Sequence, residues 1–263
     1  GRAFVNTDGF GGVAAFGFGG NGGTGRAGNS ALQATGTLTH SARVTVGQDA
    51  FVTARGMGGR GGAANADSGI AAGRGGDGFG GQFTLANQAD PLFNSGAFIF
   101  AGGDNGTVEI TGPSVVRASA SGGEGGLGNG SFAGGAGGNG FGGLAQGGLA
   151  LLGQNGSLGQ GAAMFGNLRI EADASGGDGG FAGEGGRSGA GGNGTGGNAF
   201  LTVRAGDITA GSIELFASGF GGRHLGRRAA LSLQSRDQFL QFTLGFLAAR
   251  HAAAHVGLGT RPH

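Results

Sequence analysis

Sixty-eight glycines fall within the first 222 residues of this 263-residue chain, and they come in runs. Between the runs lie short stretches of strand-forming residues, as in GGNGTGGNAFLTVRAGDITAGSIELFASGFGG over residues 191–222. Any fold for this chain must set the most flexible residue beside stiff β-branched ones, repeatedly. Glycine costs roughly 0.5–1 kcal/mol relative to alanine in regular structure, which sums to tens of kcal/mol over these runs. Backbone approach too close for a Cβ would recover that cost, through amide hydrogen bonds and Cα–H···O contacts of ~0.5–1 kcal/mol each. The alternative is that the runs are mobile loops bulging from the strands. Phenylalanines set inside the runs (Phe10, Phe16, Phe18, Phe79, Phe132, Phe141, Phe181, Phe220) favour packing, because a flexible linker gains nothing from burying a ring.

Composition removes several classes. Glycine and proline above roughly a quarter of a chain is the usual mark of disorder, but disorder also goes with low hydrophobicity and high net charge. Here 38% of residues are hydrophobic, 12% are charged, the net charge is +1 and there are 20 phenylalanines. Collagen requires glycine at every third position and abundant proline; this chain has only three prolines. The absence of cysteine removes disulfides and thiolate chemistry. No run of 18 apolar residues is present, so no helix of this chain is expected to span a bilayer. The first residue is glycine and the only methionines are Met57 and Met164, so the chain reads as a fragment or a processed product.

One cassette recurs. Its closing words are TARGMGG (53–59), RASASGGEGG (117–126), EADASGGDGG (171–180) and LFASGFGG (215–222), with AFVNTDGFGG (3–12) as the end of an earlier copy. Measured between Arg55, Ser121, Ser175 and Ser218, the spacings are 66, 54 and 43 residues. Within the last copy Ala199, Leu201 and Val203 alternate, as do Ile213, Leu215 and Ala217, with turns expected at 205–207 and 210–211 and a short strand from Ile208. Earlier copies offer Val44 and Val46, Phe51 and Val52, Val108 and Ile110, Val115 and Val116, and Leu168, Ile170 and Ala172. Strands of about 3–6 residues with one apolar side are stable only when stacked, each coil covering its neighbour. The expectation is an all-β fold: an elongated right-handed parallel β-helix, or β-solenoid, with glycine-rich excursions. Six Asn-Gly pairs, at Asn21, Asn105, Asn129, Asn139, Asn155 and Asn193, suit turns that need positive φ.

The words GGAGGNGFGG, GGNGTGGNAFLTV and GDITAGSIELFASG resemble the repeats of large bacterial surface exoproteins, the filamentous-haemagglutinin-like and autotransporter passenger proteins, especially glycine-rich ones of α-proteobacteria. The likeness covers most of residues 1–222 and is strongest in 121–222. It rests on the order of cassette parts, not on a catalytic signature. It implies a right-handed parallel β-helix at the cell surface, exported through a β-barrel and serving adhesion or aggregation. The GGAGGNG words also resemble glycine-rich mycobacterial surface proteins, where strand cassettes do not interrupt the glycine.

Chemistry-bearing motifs are weak. GGNGTGGNA (191–199) and GGNGFGGLA (137–145) have the spacing of a calcium-binding nonapeptide but carry Gly196 and Gly142 where an aspartate is needed. Bare GxGxxG spacing occurs in almost any glycine run, and the chain has no lysine for a phosphate loop. His40, the only histidine before residue 223, is expected at a surface strand position. Carboxylates Glu124, Glu171, Asp173, Asp178 and Glu184 recur near the cassette ends and read as a solvated ridge, not as a paired acid and base. The sequons at Asn105, Asn129, Asn155 and Asn193 follow from turn composition. No catalytic, cofactor-binding or metal-binding residue is assigned.

Charge divides the chain. Residues 1–222 carry 10 Arg and 14 acidic residues; residues 223–263 carry 6 Arg and the single acid Asp237. The mildly acidic body argues against nucleic acid as a partner. In the tail, Phe239, Phe242 and Phe246 share a face if helical, Phe242, Leu244 and Phe246 also fit a strand, and four of the five histidines lie there. A cassette stops at Gly222 where another glycine run is due, so the expected division is a repeat solenoid over 1–222 and a basic, out-of-frame or truncated tail over 223–263. The expected role is structural: a secreted or cell-surface adhesin or stalk, without catalysis, whose targets are extracellular glycans or proteins reached by multivalency. The alternatives are a repeat surface for polysaccharide or ice and a largely disordered glycine-rich coat. Sequencing the gene tests the tail: an alternative frame after Gly222 should encode a further glycine run, and its absence from both frames refutes the frameshift.

Overall fold

The computed structural model describes residues 1–15, 19–65, 70–80, 96–103, 105–129, 133–135, 140–141, 144–149, 161–182, 186–202 and 206–223, with backbone alone for 103, 140–141, 144–149 and 202. Among them the chain is all-β. The main sheet runs β1 (Ala3–Phe10), β5 (Ala50–Met57), β8 (Gly106–Ser121), β11 (Gly161–Glu171) and β15 (Gly206–Phe216). Beside these, β4 (Ala42–Val46) pairs with the first half of β8, while β12 (Ala174–Ser175) and β16 (Gly219–Phe220) extend the far end. A second sheet is built from β3 (Ser30–Gly36), β7 (Gly96–Gly103), β10 (Leu144–Leu149) and β14 (Asn198–Thr202). A short sheet holds β2 (Gly25–Arg26), β6 (Gly78–Phe79), β9 (Gly140–Phe141) and β13 (Gly194–Thr195). Four times the chain visits the short, second and main sheets in that order, and neighbouring strands pair in parallel.

Register follows from the apolar alternation. Val5, Val52, Val116, Ile170 and Leu215 stand in one row across the main sheet. Val44, Val108, Ala163 and Ile208 form another, and Leu32 pairs with Ile99 in the second sheet. Val52, Val116 and Ile170 are fully buried, whereas Val5 and Leu215, in the outermost strands, are only partly covered. Fully burying one such side chain is worth about 1.5–3 kcal/mol. A slip of one residue would turn every one of these side chains outward, so the pattern fixes the pairing.

Two sequence expectations need correction. The turn expected at Ala210-Gly211 is instead part of continuous strand β15. In the neighbouring pair, Gly166 alone stands opposite both Thr111 and Gly112, a bulge that bends the strand without ending it. Pro113, which cannot donate to a ladder, sits at that irregularity. The repeat anchors also shift. Ser121 pairs with Met57 and Ser175, and Ser175 pairs with Phe220, while Arg55 pairs with Ser119. Structural spacings are therefore 64, 54 and 45 residues. Aligning by glycine words misplaced Arg55 and Ser218 by two positions, because inward alternation, not the glycine, sets register.

The described glycine runs are packed. Gly58, Gly61 and Ala64 donate to the carbonyls of Ser121, Glu124 and Leu127 in the next circuit, while Gly59 and Gly62 donate to Gly23 and Gly20 in a facing run. Each neighbour is thus addressed by every third residue. A chain that turns once in three residues, with its hydrogen bonds made to other chains, follows the screw of a polyproline II helix. At the third position Arg60 in this circuit and Glu124 in the next are exposed, while Ala63 is buried. The two layers are stitched through Gly12, Gly23, Gly59, Gly76 and Gly123, with successive N···O distances of 2.7, 2.9, 2.7 and 2.8 Å. A Cβ on Gly59 would overlap the Gly12 carbonyl oxygen, and one on Gly76 the Gly23 oxygen.

Glycine serves here as the residue without a side chain, not as the residue for unusual turns. Among described glycines only Gly19 and Gly206 have positive φ, at 57° and 87°. Gly22, Gly106 and Gly194 of the Asn-Gly pairs do not, which corrects that expectation; Asn21 and Asn193 lie within the runs. Of the described rings in the runs, Phe10, Phe181 and Phe220 are exposed by 67, 56 and 59%, while Phe79 is half-buried with the Arg26 guanidinium 4.2 Å from its centroid. Phe16, Phe18, Phe132, Asn155, Val203 and residues 224–263 lie outside the described residues.

Five strands of the main sheet stack to only about 19 Å between outermost axes. Gly59→Ala should lower stability by about 1–3 kcal/mol, the cost of overpacking, whereas Gly12→Ala, with nothing within 4 Å of the new Cβ, should stay within about 0.5 kcal/mol. Urea unfolding of the two variants beside the parent chain makes the comparison.

Candidate functional site

Residues that alternate with the core row face outward from the main sheet, and stacking circuits turns them into rows. The first row holds Phe4 and Phe51, stacked with ring centroids 5.2 Å apart and planes 5° from parallel. The next holds Asn6, Thr53, Arg117, Glu171 and Phe216. Thr53 donates its hydroxyl to Asn6 Oδ1 at 3.1 Å. Beyond it, Arg55 bonds Asp8 Oδ2 at 3.2 Å.

Glu171 is the centre of the polar part. Its side chain is 3% exposed and takes the guanidinium Nε of both Arg117 and Arg169. Arg169 also reaches Glu214 at 3.6 Å and lies 4.5 Å above the Phe216 ring centroid. Burial is the strongest single influence on the Glu171 carboxyl and pushes its pKa up, but the hydrogen bonds and charges of Arg117 and Arg169 together outweigh burial and hold it below the ordinary value. Further along, Asp173 Oδ1 accepts from Ser218 N at 3.0 Å and Ser218 Oγ at 2.6 Å.

The acids are therefore not one solvated ridge. Glu171 is buried and paired, and Asp173 is half-buried and holds the neighbouring strand end. Asp178 accepts the Arg223 amide at 2.6 Å, and the exposed Glu124 lies 3.8 Å from Arg60. Glu184 lies outside the described residues. Sequence reading missed the burial of Glu171 because that depends on two arginines, one of them 54 residues away in sequence. His40 is exposed in the turn that closes with Thr37 N–H to His40 O at 2.7 Å, not on a strand, and its Nδ1 lies 2.8 Å from Thr39 Oγ1. Asn105 also serves this turn, donating from Nδ2 to the Thr37 carbonyl at 3.0 Å.

The outermost row of the face contains a depression. Met57, Ser121, Ser175 and Phe220 follow one another on adjacent rungs, bulky at the ends and small in the middle. Together with Arg55, Ser119, Ala120, Asp173 and Ala174 they line an open trough of about 330 Å³. It has apolar ends, a hydroxyl-bearing floor, one cation and one carboxylate. Among the described residues no three histidine, aspartate or glutamate side chains gather as a metal site, and no helix is long and apolar enough to cross a membrane.

No protein-family model and no curated protein matches this sequence.

The sign of the Glu171 effect is fixed. A carboxyl whose pKa is depressed by folding adds stability above its unfolded pKa and loses it as pH falls through the folded value. Glu171→Gln should therefore cost about 1–3 kcal/mol at neutral pH, the scale of hydrogen bonds to a charged group. The difference from the parent should close below an unfolded carboxyl pKa of about 4.3. Denaturant unfolding at a series of pH values measures both.

Proposed function

We propose that this chain is a structural unit of a secreted or cell-surface protein, an adhesin or stalk built as a right-handed parallel β-helix with a glycine-rich wing. The observation that carries the reading is the fourfold circuit through three sheets, in which each strand pairs with its counterparts on adjacent rungs. Parallel strands joined by a crossover within one sheet are right-handed in about 98% of cases, and the circuits of this chain are such crossovers. A stack of this kind offers the same outward rows on successive rungs, so weak contacts add up by multivalency, and its work requires no reaction. The resemblance of the cassettes to bacterial exoprotein repeats supports an extracellular or outer-surface location. Glycans or proteins outside the cell are the targets that fit, and nucleic acid is not, because the outward arginines at Arg43, Arg55, Arg117 and Arg169 are each matched by a carboxylate.

Antibody raised against the purified chain tests the location. Intact cells of the source organism, or their culture medium, should carry the epitope, and external protease should remove it from the cells. Epitope found only after lysis refutes the reading.

A further inference from the structure

We infer that the trough on the outer face of the main sheet is a binding subsite for a neutral oligosaccharide, long enough for about two sugar rings. The inference rests on the proposed reading for glycans as a target class; binding in solution tests the subsite, while surface exposure tests the location.

The trough is made by substitution along a single row. Each rung lies about 4.8 Å from the next, so Met57 and Phe220, three rungs apart, bound a gap about 14 Å long. In between, Ser121 and Ser175 rise no higher than a hydroxymethyl group. The void of about 330 Å³ lies at the small end of ligand pockets. Its end walls are apolar, and Phe220, on the short strand β16, is 59% exposed.

Polar groups in the trough have capacity to spare. The hydroxyls of Ser119, Ser121 and Ser175 have no hydrogen-bond partner among the described residues, so each offers a donor and acceptors. Asp173 uses Oδ1 for Ser218, and its other oxygen takes no bond from a described residue. Arg55 commits one terminal nitrogen to Asp8, and a guanidinium has further N–H donors.

These features select a chemical class. Arg55 is already matched by Asp8 and Asp173 adds a further carboxylate, so an anionic polymer would find no uncompensated cation. The apolar walls are too small for a protein interface, which needs about 800 Å² per partner. A sugar ring presents apolar C–H faces and hydroxyl edges at once, which matches apolar end walls over a hydroxyl floor. In so open a trough, bridging water would complete part of the bonding.

Saturation-transfer NMR on the full chain, with maltotetraose, cellotetraose and chitotetraose as separate probes, tests the inference. The chain has no tyrosine or tryptophan, so ring irradiation saturates phenylalanine and histidine alone, and the variants below assign the transfer to the trough. At least one probe should receive saturation. Ser175→Leu, which fills the gap between Met57 and Phe220, should weaken its binding about tenfold, while Phe181→Ala in the glycine wing leaves it unchanged. If Ser175→Leu does not fold by circular dichroism, Phe220→Ala at the exposed wall should give the same loss. No transfer to any probe, transfer that survives loss of the trough, or binding restricted to dextran sulfate or to ice would overturn the assignment.

Discussion

The contact on which this structure depends is backbone against backbone. At Gly59 the chain passes so close to the Gly12 carbonyl that no side chain fits between them, and the same is true where Gly76 meets Gly23. That approach lets amides of one run reach carbonyls of the next and of the facing layer. Each such bond is worth only about 0.5–1.5 kcal/mol net, but leaving the groups buried and unpaired would cost more. Two runs of polyproline II pitch therefore form a wing in which hydrogen bonds do what side-chain packing does elsewhere. The wing and the sheets share rungs: Gly58 donates to Ser121 at the end of β8, and Gly122 to Ser175 at the end of β12. A steric block in one would disturb the spacing of the other.

The sheets obey a complementary logic. Where glycine excludes side chains, the strands need them, and rows such as Val52, Val116 and Ile170 fill the interior to full burial. Translation from rung to rung places like residues over like, so outward rows become continuous surfaces whose character changes one substitution at a time. Arginines alternate with carboxylates around Glu171, and rings stack at Phe4 and Phe51. Two serines between a methionine and a phenylalanine open the trough. Function on such a face belongs to rows, not to a single converging site.

Much of this was legible in the chain. The alternation of Val108 and Ile110, or of Leu168 and Ile170, announced strands with one buried side, and those side chains are the core. Less legible were the bulge at Thr111-Gly112 and the two-residue shift that pairs Arg55 with Ser119. The described glycine runs are packed by amides; of the rings set in them, Phe79 is half-buried beside Arg26 while Phe10, Phe181 and Phe220 face solvent. The acids near the cassette ends looked equivalent and are not, because only Glu171 has two arginines closing over it.

The sequence by itself determined the local currency: which residues extend, which side of each strand is apolar, and where side chains are absent. These are properties of neighbours along the chain, set by sterics and by a period of two. Only the tertiary structure decided what the glycine runs touch, which rung lies over which, and hence where a buried carboxylate or an open trough appears. Those depend on residues 45 to 64 positions apart meeting across one hydrogen-bonded step, and no local pattern records the outcome of that meeting.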